Sequence, residues 1–227
     1  MFFMSIHSLT HKPKVIFCDV DKTLTVGDVW YGLTSALHGD VEKHFEFYSS
    51  YQKGLLTFEQ MKQKLFDMWI TGYNSAIPRR VLEDIFFKVS LRGETFSFFI
   101  DLRNRGYKVC LISNYMDIFV RQVAQKLQIE DWYASAEFLF DKQNNWVDYT
   151  EDPDERGFKV RKVEEYLKQH SLGSGECVVL GSGHEEIDLF RLYPGIAVDT
   201  ENEQLKELAW REIKYLPTVL QLLNQFE

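Results

Sequence analysis

Val15-Ile-Phe-Cys-Asp19-Val-Asp21-Lys-Thr23-Leu-Thr25 is the most informative stretch of this sequence. Four apolar residues without polar alternation predict a short strand covered on both faces, as in a parallel sheet. The strand runs into two carboxylates spaced i and i+2. On a continuing strand these would share a face and repel each other. A cation held by their oxygens, or a substrate that uses their proton chemistry, resolves that repulsion. The plainer alternative is that Asp19 and Asp21 are turn-formers closing the strand, with Thr23 capping the next segment.

Working outward, four further segments read as strands: Val109–Ser113, Cys177–Gly181, Gly195–Val198 and Ile213–Tyr215. Helical patterns separate them, at Gly93–Asn104, Asp117–Leu127, Lys159–Gln169 and Glu185–Leu192. Strand and helix in repeated alternation predict an α/β fold, a doubly wound parallel-sheet (Rossmann-like) core with right-handed crossovers. Between the first two core strands the pattern changes. Val29–Leu37, Val41–Tyr51, Thr57–Trp69 and Pro78–Val89 all read as helices. Thr57 is placed to cap the third, with Gln60 completing a capping box, and Pro78 suits the first turn of the fourth. Residues 28–90 are therefore expected to form a helical cap inserted into a core of residues 1–27 and 91–227. Within that core, Glu137–Tyr149 is expected to be a hairpin, with Phe138–Phe140 and Trp146–Tyr149 flanking a polar turn.

Composition narrows the function. Of 227 residues, 45% are hydrophobic and 26% charged, suiting one sizeable core with an insertion. The net charge of -8 leaves no excess of Lys and Arg to neutralise a nucleic-acid backbone. A small phosphorylated ligand needs only a local positive site. Cys18, Cys110 and Cys177 lie in or beside apolar runs without a CxxC pair, as expected of reduced core thiols in a cytoplasmic protein. No apolar run is long enough to cross a bilayer, and no membrane partner is expected. The first dozen residues, MFFMSIHSLTHK, are too short in apolar length for a secretory signal and read as a leader to the first strand. Without GxGxxG after the first strand, dinucleotide binding is a poor third reading. Nothing in the sequence indicates the oligomeric state.

Asp19-Val-Asp21-Lys-Thr23 resembles the first motif of the haloacid dehalogenase superfamily, Asp-x-Asp-x-Thr after a hydrophobic strand. Cys110-Leu-Ile-Ser113-Asn114 resembles the second, a hydrophobic run closed by Ser or Thr. Lys159 resembles the third, with Lys162 one turn further as its rival; spacing to the Gly181 strand favours Lys159. Val178-Val-Leu-Gly181-Ser182-Gly183-His-Glu-Glu186 sits where the acidic fourth motif belongs. The insertion after the first motif, together with Gly106-Tyr-Lys-Val-Cys-Leu-Ile-Ser113 and Met116-Asp-Ile-Phe-Val120, resembles the phosphoserine-phosphatase-like branch. Each feature alone has a plain reading: Ser113 could end a strand, Lys159 could be solvated, and Glu185 and Glu186 could be an ordinary acidic first turn.

The resemblance implies Mg²⁺-dependent phosphomonoester hydrolysis of a small phosphorylated metabolite. Asp19 is implied as nucleophile, Asp21 as general acid and base, and Ser113 and Lys159 as partners of the phosphoryl oxygens. Asp19, Asp21 and Glu186 are the implied metal ligands. The fourth motif departs from the family: Ser182 stands where an Asp ligates Mg²⁺, and Glu186 replaces the second Asp. This departure supports the alternative reading, a weak or inactive phosphatase-like protein that binds a phosphorylated ligand or partner. Asn114 and Tyr115 replace two glycines of the phosphoserine enzymes. Asp28 stands for a cap Glu, and Leu65, beside Lys64, for a cap Arg. Asp28, Asn114 and Tyr115 are accordingly the expected substrate-binding residues, Trp30 and Tyr31 could add aromatic character, and phosphoserine is expected to fit poorly.

Overall fold

The computed structural model describes residues 8–152 and 154–226. The first seven residues of the expected leader lie outside them. Among the described residues the strands are β1 (Val15–Cys18), β2 (Lys108–Met116), β3 (Asp131–Phe140), β4 (Trp146–Glu151), β5 (Cys177–Gly181), β6 (Gly195–Val198) and β7 (Arg211–Ile213). They form a seven-stranded sheet in the order β4-β3-β2-β1-β5-β6-β7. β1 pairs in parallel with β2 and β5, and the β2–β3, β5–β6 and β6–β7 pairs are also parallel. The α/β class expected from the sequence is the one observed.

The chain divides into two compact units. One comprises residues 1–26, 90–137 and 151–227, and the other residues 27–89 and 138–150. The tip of the β3–β4 hairpin thus groups with the inserted helices, not with the core to which its sequence position assigned it. Aromatic packing accounts for this: Trp146 of the tip lies 5.3 Å from Trp69 and 5.0 Å from Phe66, ring centre to ring centre.

In the sheet unit, β1 explains why the core is legible. Val15 and Phe17 pack with Cys110, Ile112, Cys177 and Val179 on one face, against Phe158, Val163 and Tyr166 of α7 (Glu155–Gln169). Ile16 and Cys18 point to the opposite face by the two-residue period and are just as fully buried. Covered on both faces, the strand has no polar position to give up. Helices α5 (Thr95–Asn104) and α6 (Asp117–Leu127) flank β2, and α8 (Ile187–Leu192), α9 (Glu203–Leu208) and α10 (Pro217–Leu223) follow later strands. The expected helix Glu185–Leu192 is a 3₁₀ turn, His184–Glu186, running into α8. All three cysteines are free and buried.

The second unit contains α1 (Val29–Ala36), α2 (Val41–Gln52), α3 (Phe58–Tyr73) and α4 (Arg79–Phe87). Thr57 and Gln60 form the expected capping box on α3. Pro78 is the residue before α4, one position earlier than its helical reading. Trp69 is the hub of this unit: its ring stacks on Trp30 at 5.7 Å, and its indole N–H donates to Thr34 Oγ1 at 2.8 Å. Thr34 also shares a 2.6 Å hydrogen bond with His44 Nδ1. Burial lowers the His44 imidazole to about 4, partly opposed by Asp28, so it is neutral here at ordinary pH.

Candidate active site

Asp19 extends β1 by one residue: its N–H still donates to Leu180 O at 3.0 Å. It therefore keeps the parity of Val15 and Phe17 and points toward α7. There Lys159 Nζ meets Asp19 Oδ1 at 2.8 Å. Past Asp19 the chain turns back sharply. Lys22 adopts a left-handed conformation, Thr23 N–H donates to Asp21 O at 2.6 Å, and Leu24 N–H to Val20 O at 2.9 Å. This turn carries the Thr23 hydroxyl to Asp19 Oδ2 at 2.7 Å. It also brings Thr25 Oγ1 to Asp21 Oδ1 at 3.1 Å. The sequence leaves plain turn-formers as the alternative reading of Asp19 and Asp21; the turn holds the Asp19 carboxylate between a cation and a hydroxyl.

Lys159 is buried and also pairs with the Glu186 carboxylate. Burial alone would push its ammonium down, but Asp19 and Glu186 outweigh that and hold it above its ordinary value. Lys162, the rival, lies near the surface and pairs with Glu165 at 2.8 Å. Of the two candidates, Lys159 is the one that meets Asp19.

Glu186 is wholly buried. One of its oxygens accepts from Lys159, and the other accepts from Gly183 N–H at 2.9 Å. Its packing explains the glycine at 181, because a Cβ there would collide with the Glu186 side chain. Burial raises the Glu186 carboxyl, and the Lys159 charge opposes that rise. Ser182, at the departure from the fourth motif, hydrogen-bonds to Thr23 Oγ1 at 2.9 Å.

Asp19, Asp21, Asn114, Tyr115, Lys159 and Ser182 line one cleft of about 340 Å³ in the sheet unit. That is the size of a small-ligand pocket. Ser113 is fully buried just beside it, and its Oγ has no hydrogen-bond partner among the described residues. Glu186 does not line the cleft; it sits behind Lys159. Asp28 belongs to the helical unit, where its carboxylate accepts from Tyr31 N–H at 3.2 Å and caps α1. Trp30 and Tyr31 pack inside that same unit, Tyr31 at 4.7 Å from the His44 ring. Leu65 is buried and Lys64 lies over the Phe47 ring.

Lys22, His184, Glu185, Thr200, Glu201 and Asn202 also line the cleft, and the sequence reading gave none of them a part in it. A signal existed for the last three. They follow β6 directly, as Asp19 follows β1, and ligands of open α/β sheets bind beyond the carboxyl ends of the strands.

The sequence profile of the haloacid dehalogenase-like hydrolases matches residues 16–185. The chain belongs to this family. The relatives it resembles are phosphoserine phosphatases. The phosphoserine phosphatase of Methanocaldococcus jannaschii is 26% identical over 185 residues, covering 79% of this chain and 82% of that protein. That of Lactococcus lactis is 22% identical over 177 residues, covering 77% and 78%. Among solved structures, a phospho-aspartyl intermediate analogue of phosphoserine phosphatase superimposes with a TM-score of 0.73 at 23% identity, covering 93% of this chain and 99% of that one. At that identity the likeness speaks to fold alone. No helix among the described residues is long and apolar enough to cross a membrane.

Haloacid dehalogenase phosphatases generally use Mg²⁺, so the donor set matters. Among the described residues no group of three or more His, Cys, Asp or Glu side chains is arranged to hold a metal. The cleft is lined by two carboxylate residues, Asp19 and Asp21, and by Ser182, whose hydroxyl is neutral. Mg²⁺ is commonly held by one or two carboxylates completed by substrate phosphate and water, not by an all-protein cage. The donors fit Mg²⁺ in that substrate-completed manner, with one fewer charge than an Asp at 182 would give.

Proposed function

We propose that this chain is a Mg²⁺-dependent phosphomonoester hydrolase that acts on a small phosphorylated metabolite through an aspartyl-phosphate on Asp19. The observation that carries the reading is the Asp19 carboxylate, fixed at the end of β1 by Lys159 and Thr23 in a cleft of ligand size. Two hydrogen bonds to one carboxylate hold it in place, which is what a nucleophile that must attack in line requires.

In this reading Asp19 attacks phosphorus, and the bond from phosphorus to the ester oxygen breaks. Asp21, entering as the acid, gives its proton to the departing oxygen. It then takes a proton from water as the water oxygen attacks phosphorus. The bond from phosphorus to Asp19 breaks, releasing phosphate and restoring both carboxyls. Ser113, whose Oγ lacks a partner among the described residues, donates to a phosphoryl oxygen. Lys159 supplies fixed positive charge where the transition state spreads its negative charge. Glu186 is better read as the residue that orients Lys159 than as a metal ligand, since it pairs with Lys159 and, unlike Asp19 and Asp21, does not line the cleft. Mg²⁺, held by Asp19 and the Asp21 carbonyl, would offset the repulsion between the carboxylate and the phosphate dianion.

Ser182 favours the second reading, a phosphatase-like protein that binds a phosphorylated ligand without turnover. Hydrolysis of an aryl phosphate with and without Mg²⁺, by the wild type and by Asp19→Asn, separates the two. Mg²⁺-dependent turnover lost in a folded Asp19→Asn protein supports the enzyme. Binding of inorganic phosphate without any turnover supports the second reading.

A further inference from the structure

We infer that the phosphomonoester taken by this site carries a neutral hydroxyl close to its ester, as a polyol or sugar phosphate does, and that Asn114 reads that hydroxyl. The inference rests on the phosphatase reading above and deepens it.

The starting point is where β2 ends. Its ladder with β3 runs in register from Cys110 to Ser113 and is irregular between Ser113 and Met116. An irregularity of this kind re-aims side chains, and such features gather beside active sites. Asn114 and Tyr115 lie in this stretch, and both line the cleft that holds Asp19. Tyr115 also packs edge-on against Phe119 at 5.8 Å. Asn114 is only 8% exposed, yet neither its Nδ2 nor its Oδ1 has a hydrogen-bond partner among the described residues. A buried amide with both ends unpaired is unfavourable in the fold alone and points to a ligand.

Donor and acceptor chemistry selects the ligand group. The amide needs one group to receive its N–H and one to donate to its oxygen. A phosphoryl oxygen or a carboxylate only accepts, and leaves Oδ1 unpaired. An ammonium only donates, and leaves Nδ2 unpaired. A hydroxyl does both. Ser113 differs here, because one hydroxyl can be satisfied by a phosphoryl oxygen alone. Charge points the same way. Asp19, Asp21, Glu185 and Glu201 line the cleft against Lys22 and Lys159, and Lys159 is already shared with Asp19 and Glu186. No arginine lines it among the described residues, so a carboxylate on the substrate would meet excess negative charge.

The test compares kcat/KM for glycerol phosphate, propyl phosphate, phosphoethanolamine and phosphoserine, in the wild type and in Asn114→Leu. Leu is close to Asn in shape and removes both polar atoms. The glycerol-to-propyl ratio is internal to each protein, so a general loss of activity cancels. In the wild type it should be roughly 10- to 100-fold, the range expected when a buried polar group is left unpaired. In Asn114→Leu it should fall to within about threefold. The variant should also melt at or above the wild-type temperature, because an unpaired buried amide has been removed; a purely structural Asn would give a lower Tm. A wild-type ratio near one, an unchanged ratio in Asn114→Leu, or a higher kcat/KM for phosphoserine or phosphoethanolamine than for glycerol phosphate would each overturn the inference. If the wild type hydrolyses neither an aryl phosphate nor any of the four esters, the phosphatase reading fails. The same ratios taken from calorimetric affinities then test the Asn114 inference separately.

Discussion

Replacing Lys159 with Met should separate the stability of this site from its chemistry. The ammonium lies between two carboxylates, and the side chains of Lys159, Asp19 and Glu186 are 3%, 10% and 1% exposed. Removing one partner of a buried ion pair typically costs about 3–5 kcal/mol, because the charge left behind has neither water nor a counter-ion. Glu186 is the more deeply buried of the two carboxylates, so most of the penalty should fall on it. Lys159→Met/Glu186→Gln removes that orphan and should recover more than half of the loss. Both proteins should lack turnover, since each lacks the cation beside Asp19. Urea unfolding followed by circular dichroism in metal-free buffer gives the midpoints and slopes. Burial raises the Glu186 carboxyl, and the Lys159 charge opposes that rise. Without Lys159 the folded carboxyl lies higher still, so as pH rises the wild type sheds this proton before the variant does. Beyond that point only the folded variant holds a proton that its unfolded chain has released, and the deficit of Lys159→Met should grow with rising pH. A single variant within about 1 kcal/mol of wild type, against the 3–5 expected, would refute the reasoning. So would a double variant no more stable than the single one.

Two further outcomes rest on the same geometry. His44 is neutral in the fold because burial lowers it to about 4, while an unfolded histidine titrates near 6.5. Its contribution is thus present above 6.5 and lost toward 4, so acidification from pH 7 to pH 5 should remove about 2 kcal/mol of stability through this group. His44→Gln, compared with wild type by urea unfolding at both pH values, should lack that share; an equal pH dependence would show that His44 is not the group. Ser182→Asp restores a charged oxygen beside Thr23 and should tighten Mg²⁺ binding by about tenfold, since charge count tunes hard-cation sites. Calorimetric titration reads this directly, and unchanged affinity would mean that position 182 is not at the metal site.

Much of the fold was legible because the central strands are buried on both faces. β1 and β5 have no exposed residue, so their apolar runs are continuous and short. β3 was missed except for its end. Residues 131–135 are only half-buried, and Asp131-Trp-Tyr-Ala-Ser shows neither alternation nor an apolar run. Helices α9 and α10, six and seven residues long, are too short to show a helical period. At the site, the resemblance of the ordered motifs to the family made it legible that Asp19, Lys159 and Asn114 would meet, and all three line the cleft. The pairing of Glu186 with Lys159 was not legible, because it depends on a buried lysine arriving from 27 residues away. Nor was the capping duty of Asp28, which looks the same in sequence as a substrate contact.

Asp19 is the residue expected to become phosphorylated during turnover. Incubation with a phosphate-labelled aryl ester and Mg²⁺, an acid quench, and peptide mapping test this most directly. The label should appear on the peptide containing Asp19 and be absent from folded Asp19→Asn. Phosphate release with the label on another residue, or equal labelling of Asp19→Asn, would contradict the account.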